Sequence, residues 1–218
     1  MKGELKESRV AYQSEWLEVH EDFLSIKGIK NTKKNDDDDD DHHDNNNNTN
    51  NNNTTIATND IKMFNKIRTK NDGTVVVPVF PDDSLLLIET YRYGVDEVLL
   101  EFPGGLIEIN EEPIESARKE LLQETGYICK TLEPKGWFYT WPSRCNQKIH
   151  VFLAKGLEEV SKQNLEATEN IKTKILSKDE VMLKFKNQEL TSGGMIAALF
   201  YGYFMPTSDN KKFDMHFI

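Results

Sequence analysis

The amino-acid sequence predicts an α/β fold, an α/β/α sandwich around a mixed sheet, and three patterns lead there. Residues 73–93, GTVVVPVFPDDSLLLIETYRY, hold two continuous apolar runs split by a turn, as strands buried on both faces do. Residues 113–126 set Ile114, Ala117 and Leu121 at helical spacing and stop at Gly126. Further strand-like runs come after this helix, and helical segments after them, so helices alternate with strands.

Taken in order, residues 15–26, EWLEVHEDFLSI, read as a strand ending at the Lys27-Gly28 turn signal, within N-terminal strands over residues 1–30. Residues 31–55, NTKKNDDDDDDHHDNNNNTNNNNTT, cannot bury apolar surface, and their aspartates repel one another. They are expected to be a disordered insertion in a hairpin loop. Closure entropy grows only with the logarithm of loop length, so such an insertion is tolerated. Strand character resumes at residues 62–69 with Met63, Phe64 and Ile67. Strands are then expected over 74–80 and 85–91, joined by a Pro-Asp-Asp turn, and over 98–102.

Pro103-Gly104-Gly105 leads into the helix, which Pro113 starts because its missing N–H is not needed in the first turn. Residues 135–140 and 148–153 read as strands around the loop TWPSRCNQ, and residues 171–176 as a last strand. Residues 178–186 are expected to be helical, and 191–205 to close the fold as an amphipathic helix.

Composition narrows the function. Seven aspartates within residues 36–44 carry most of the formal charge of −10, leaving about −3 on the rest. The lack of a basic excess argues against a nucleic-acid platform. The longest apolar stretch, residues 195–205, is too short to span a bilayer. The N-terminus MKGELKESRV lacks the apolar core of a signal peptide. Cys129 and Cys145 have no metal-type or framework spacing and suit a reducing compartment. A cytoplasmic protein without membrane partners is the expectation.

Glu120 and Glu124 lie one helical turn apart on the shoulder of the apolar stripe. Two carboxylates so placed can hold Mg²⁺, which prefers oxygen ligands. Alone, such a pair is more often a solvated acidic face, and the surrounding residues decide the matter. Gly105, Glu111, Glu120, Leu121, Glu124, Gly126 and Tyr127 match, without a gap, the Nudix box: Gly, five residues, Glu, seven residues, Arg-Glu, apolar, any, Glu-Glu, any, Gly, apolar. The chain therefore resembles the Nudix hydrolases over roughly residues 60–205, and the domain is placed at residues 56–210.

Two positions depart from the box. Lys119 stands where the family has Arg and lacks its planar fork, and Gln123 stands where the family has the first Glu of the pair. The phrase EFPGGLIE, the segment TYRYG at 90–94, and Pro142, 15 residues beyond the box, are similar to the ADP-ribose pyrophosphatase subgroup.

By this resemblance, Glu120, Glu124 and the Gly104 carbonyl would bind Mg²⁺, with Mn²⁺ as an alternative, and Gly104 would let the backbone approach the ion. Glu111 would support the box loop. Glu169, in the phrase Glu169-Asn170-Ile171, would be a third ligand or base, with Glu166 beside it. Arg92 would hold a phosphate. Trp141 would stack on a base or anchor its loop. The substrate would be a nucleoside diphosphate linked to another group, ADP-ribose first. Another nucleotide sugar, a dinucleoside polyphosphate and a silent nucleotide-binding domain stay open. So does a homodimer through the N-terminal sheet, where many members of the subgroup pair.

Overall fold

The computed structural model describes residues 3–25, 61–167 and 169–205. The expected insertion at 31–55 lies outside the described residues. The fold separates into two compact units.

The first unit is built on a three-stranded sheet, order β1-β2-β3, from Glu4–Gln13 (β1), Leu17–Ser25 (β2) and Ile61–Thr69 (β3). β2 falls within the strand expected at residues 15–26, and β1 is paired antiparallel to it. Buried His20 and Asp22 are satisfied locally: the Ser8 hydroxyl donates to Asp22 at 2.5 Å, and His20 Nε2 meets Glu18 at 2.8 Å.

The second unit carries the mixed sheet. Its strands are β4 (Gly73–Val79), β5 (Leu85–Arg92), β6 (Glu97–Glu101), β7 (Tyr127–Tyr139), β8 (Lys148–Glu159) and β9 (Ile171–Leu176). The order is β6-β5-β4-β8-β7, with β9 also paired to β5. β4 and β8 run parallel, and the remaining pairs antiparallel. Helices α1 (Pro113–Thr125), α2 (Lys178–Lys186) and α3 (Gly193–Leu199) cover it, and α3 runs on into a π-helical turn at Phe200–Phe204.

Alternation along β4 and β8 explains why their sequences are apolar at nearly every position. Val76, Phe152 and Ala154 pack with Ala117 and Leu121 of α1 on one face. Val77, Val79, Val151 and Leu153 pack with Val181 of α2 and Met195, Ala198 and Leu199 of α3 on the other. This is the expected α/β/α sandwich. Burying a side chain such as Leu121, 1 % exposed, contributes about 1.5–3 kcal/mol.

β7 and β8 extend well past the segments expected from sequence. A register shift between Pro134 and Gly136, with Gly136 at φ 127°, breaks the alternation of β7. Its first half therefore does not read as one strand with the second.

Candidate active site

α1 starts on Pro113 and ends on Gly126, whose φ of 80° is left-handed and whose N–H returns to Leu122 O at 2.8 Å. The helix packs Ala117 and Leu121 onto the sheet, which turns Glu120 and Glu124 toward the segment 103–105. In that segment the carbonyls of Pro103 and Gly105 accept from Val76 and Thr74 of β4, at 2.8 and 2.9 Å. Chain alternation then points the backbone groups of Gly104 the other way. Its N–H donates to Glu124 Oε2 at 2.7 Å.

The two glycines have different duties. A Cβ on Gly104 would lie 2.2 Å from the Thr74 carbonyl, so the close approach of β4 demands glycine here. A Cβ on Gly105 would lie 2.6 Å from Glu120 Oε1, so this second glycine leaves room for the carboxylate.

Both carboxylates are held where charge is unfavourable. Burial pushes Glu120 up to about 7; Lys119 opposes this, while Glu169, Glu166 and Glu111 add to it. Burial pushes Glu124, 3 % exposed, up to about 8; the Gly104 N–H and Arg92 oppose this, while Glu120 and Glu169 add to it. The structure thus brings Glu120, Glu124, Gly104, Glu169, Glu166 and Arg92 into one neighbourhood.

The acidic loop before β9 is tied to the end of α1. Asn164 N–H donates to Gln123 O at 2.8 Å, and Val160 N–H to Gly126 O at 3.0 Å. The Gln163 amide reaches the Glu124 carbonyl and, at 3.4 Å, that of Ile171. These bonds satisfy the carbonyls that a helix end leaves open. Within the loop, Glu166 N–H donates to Glu169 Oε2 at 2.9 Å.

Lys119 replaces the box arginine and is fully engaged. Its Nζ bridges Glu108 at 2.8 Å and Glu111 at 3.1 Å, and Glu111 accepts the Glu108 N–H at 3.0 Å. Burial works against the lysine's charge, but these hydrogen bonds outweigh it and hold the pKa above the ordinary lysine value.

Trp141 is 54 % exposed on the β7–β8 loop, where its carbonyl accepts from the Arg144 and Cys145 N–H groups and closes its own turn.

Sequence reasoning alone gives no role to Gly105, Gln163 or Glu108. Gly105 matches the box as a letter only. Gln163 and Glu108 carry no local signal, because their contacts are set by the fold.

The donors suit Mg²⁺. Among the described residues no three His, Cys, Asp or Glu side chains close on one point. Glu120 and Glu124 beside the Gly104–Gly105 backbone offer oxygen donors of the kind Mg²⁺ prefers, and Mg²⁺ usually keeps several waters and takes substrate phosphates for its remaining positions.

Comparison with known proteins gives the family and the fold. A family model described as "NUDIX domain" matches residues 70–199. The chain is 26 % identical to the methanol dehydrogenase activator of Bacillus methanolicus, over 67 % of this chain and 83 % of that protein. It is 28 % identical to an ADP-ribose pyrophosphatase of Bacillus subtilis (strain 168), over 61 % and 72 % respectively. A crystal structure of an ADP compounds hydrolase superposes with a TM-score of 0.70, covering 92 % of each chain at 18 % identity, a likeness of fold. Among the described residues no helix is long and apolar enough to cross a membrane.

Proposed function

The chain belongs to the Nudix family, and on that premise we propose that it is a metal-dependent pyrophosphatase cleaving a nucleoside diphosphate linked to a sugar, ADP-ribose first. The observation that carries this reading is the placement of Glu120 and Glu124, both against the backbone of Gly104 and Gly105. The similarity to a relative named ADP-ribose pyrophosphatase supports the choice of substrate.

Glu120, Glu124 and the Gly104 carbonyl would hold Mg²⁺. Bound there, the ion would neutralise the diphosphate oxygens and lower the pKa of a water. Arg92 holds a phosphate oxygen and keeps the phosphorus in place for attack. Glu169, whose Oε2 is occupied by the Glu166 N–H, accepts the proton of the attacking water at its other oxygen. The new bond joins the water oxygen to phosphorus, and the bridging P–O bond breaks, giving AMP and ribose 5-phosphate. Lys119, Glu108 and Glu111 hold the box loop in register with α1.

The test is a panel of ADP-ribose, UDP-glucose, GDP-mannose and a dinucleoside polyphosphate, each with Mg²⁺ and read by chromatography. ADP-ribose is expected to have the highest kcat/KM. Faster turnover of another member would replace the substrate and keep the reaction; no turnover of any would sink both.

A further inference from the structure

Arg92 does not stand alone. In the β5–β6 register Ile88 faces Glu101 and Arg92 faces Glu97. Ile88, Thr90 and Arg92 share one face of the sheet with Glu97, Leu99 and Glu101. Arg92 reaches diagonally back along that face. Its Nε and Nη2 both donate to Glu101 Oε2, at 2.8 and 2.6 Å. The Glu101 side chain is 14 % exposed and that of Arg92 51 %, so the carboxylate is the fixed end and the guanidinium the open one. Nη1 makes no hydrogen bond to any described residue.

Glu101 also lies three residues before Gly104, whose N–H meets Glu124, so one short segment carries both the Arg92 anchor and the Glu124 contact. Arg92 is within electrostatic reach of Glu124. An arginine free to rotate within reach of Glu124 would turn onto it, because opposite charges attract strongly where water is scarce. It would then compete with a cation for the same oxygens. Glu101 takes one edge of the guanidinium and keeps the other edge available.

We propose that Glu101 is a positioning residue that fixes the Arg92 guanidinium so that Nη1 meets a phosphate of the nucleoside diphosphate substrate. This rests on the hydrolase reading of the site. The planar fork has its donors in fixed directions, so anchoring Nε and Nη2 also aims Nη1.

The test is a double-mutant cycle on the full chain: wild type, Glu101→Gln, Arg92→Ala and the double variant, assayed for hydrolysis of ADP-ribose with Mg²⁺. Glu101→Gln is expected to raise KM by about tenfold and to change kcat by less than about threefold. In the Arg92→Ala background the same change should alter KM by less than about twofold, because Glu101 acts only through Arg92. Glu101→Asp, which keeps the charge but shortens the reach, should raise KM as Glu101→Gln does, and it replaces that variant if glutamine prevents folding. Equal effects of Glu101→Gln in both backgrounds, or no effect on KM, overturn the inference alone. A wild-type chain that hydrolyses no member of the panel overturns the hydrolase reading and this inference together.

Discussion

Replacing Glu124 with glutamine should separate stability from activity. The side chain is 3 % exposed, and burial, opposed by the Gly104 N–H and reinforced by Glu120 and Glu169, carries its pKa from 4.5 to about 8. A carboxyl raised in this way favours folding below about 4.5, its unfolded value, and loses that contribution as pH rises through about 8. Between pH 6 and pH 9 the loss amounts to on the order of 3 kcal/mol. Glutamine cannot ionise and still accepts the Gly104 N–H. With chelator present, Glu124→Gln should therefore be the more stable protein, by a margin that widens from pH 6 to pH 9. For a chain of this size that widening corresponds to about 5–10 °C in Tm. Turnover should fall by about 10²–10³, as expected for several kcal/mol of lost charge stabilisation. Thermal unfolding by circular dichroism at the two pH values reads the first effect, and ADP-ribose hydrolysis the second. A margin that stays constant with pH, or a wild type that is the more stable at pH 9, would refute the picture of Glu124 as an uncompensated buried carboxylate.

Gly105→Ala puts a Cβ against the movable end of Glu120, so activity should drop at least about tenfold with under about 1 kcal/mol lost. Gly104→Ala meets the β4 backbone instead and should destabilise by more than about 2 kcal/mol; equal stability losses in chemical denaturation would contradict this division. Lys119→Ala removes the ties to Glu108 and Glu111 and should lower kcat by about tenfold, whereas Lys119→Arg should keep wild-type kcat. Leu121→Ala opens a cavity beneath α1 and should reduce unfolding free energy by about 2–5 kcal/mol in urea titration.

The central elements are legible in the sequence because each is dictated locally. Pro113, the apolar stripe and Gly126 set α1 almost to the residue, and the runs at 74–80 and 85–91 set β4 and β5. The spacing from Gly105 to Tyr127 singles out Glu120 and Glu124, which the fold brings to the same loop. The hidden parts depend on long-range register. β7 reads as shorter than it is because the irregularity at Pro134 and Gly136 interrupts its period. Gly104 is glycine for a reason that its sequence neighbours do not reveal, since only the approach of β4 creates the collision with Thr74. Glu101 looks like the polar end of a strand, and its hold on Arg92 depends on a diagonal across β5 and β6. Gln163 lies 39 positions from the helix carbonyl it binds, beyond any local pattern.

The most direct measurement of metal-dependent hydrolysis at Glu124 is release of AMP and ribose 5-phosphate from ADP-ribose, followed by chromatography with Mg²⁺ and again with chelator. Both products should form in equal amounts with Mg²⁺, with almost none in chelator and almost none from Glu124→Gln under either condition. Product formation that persists undiminished in chelator, or in Glu124→Gln, would contradict a metal held by this carboxylate.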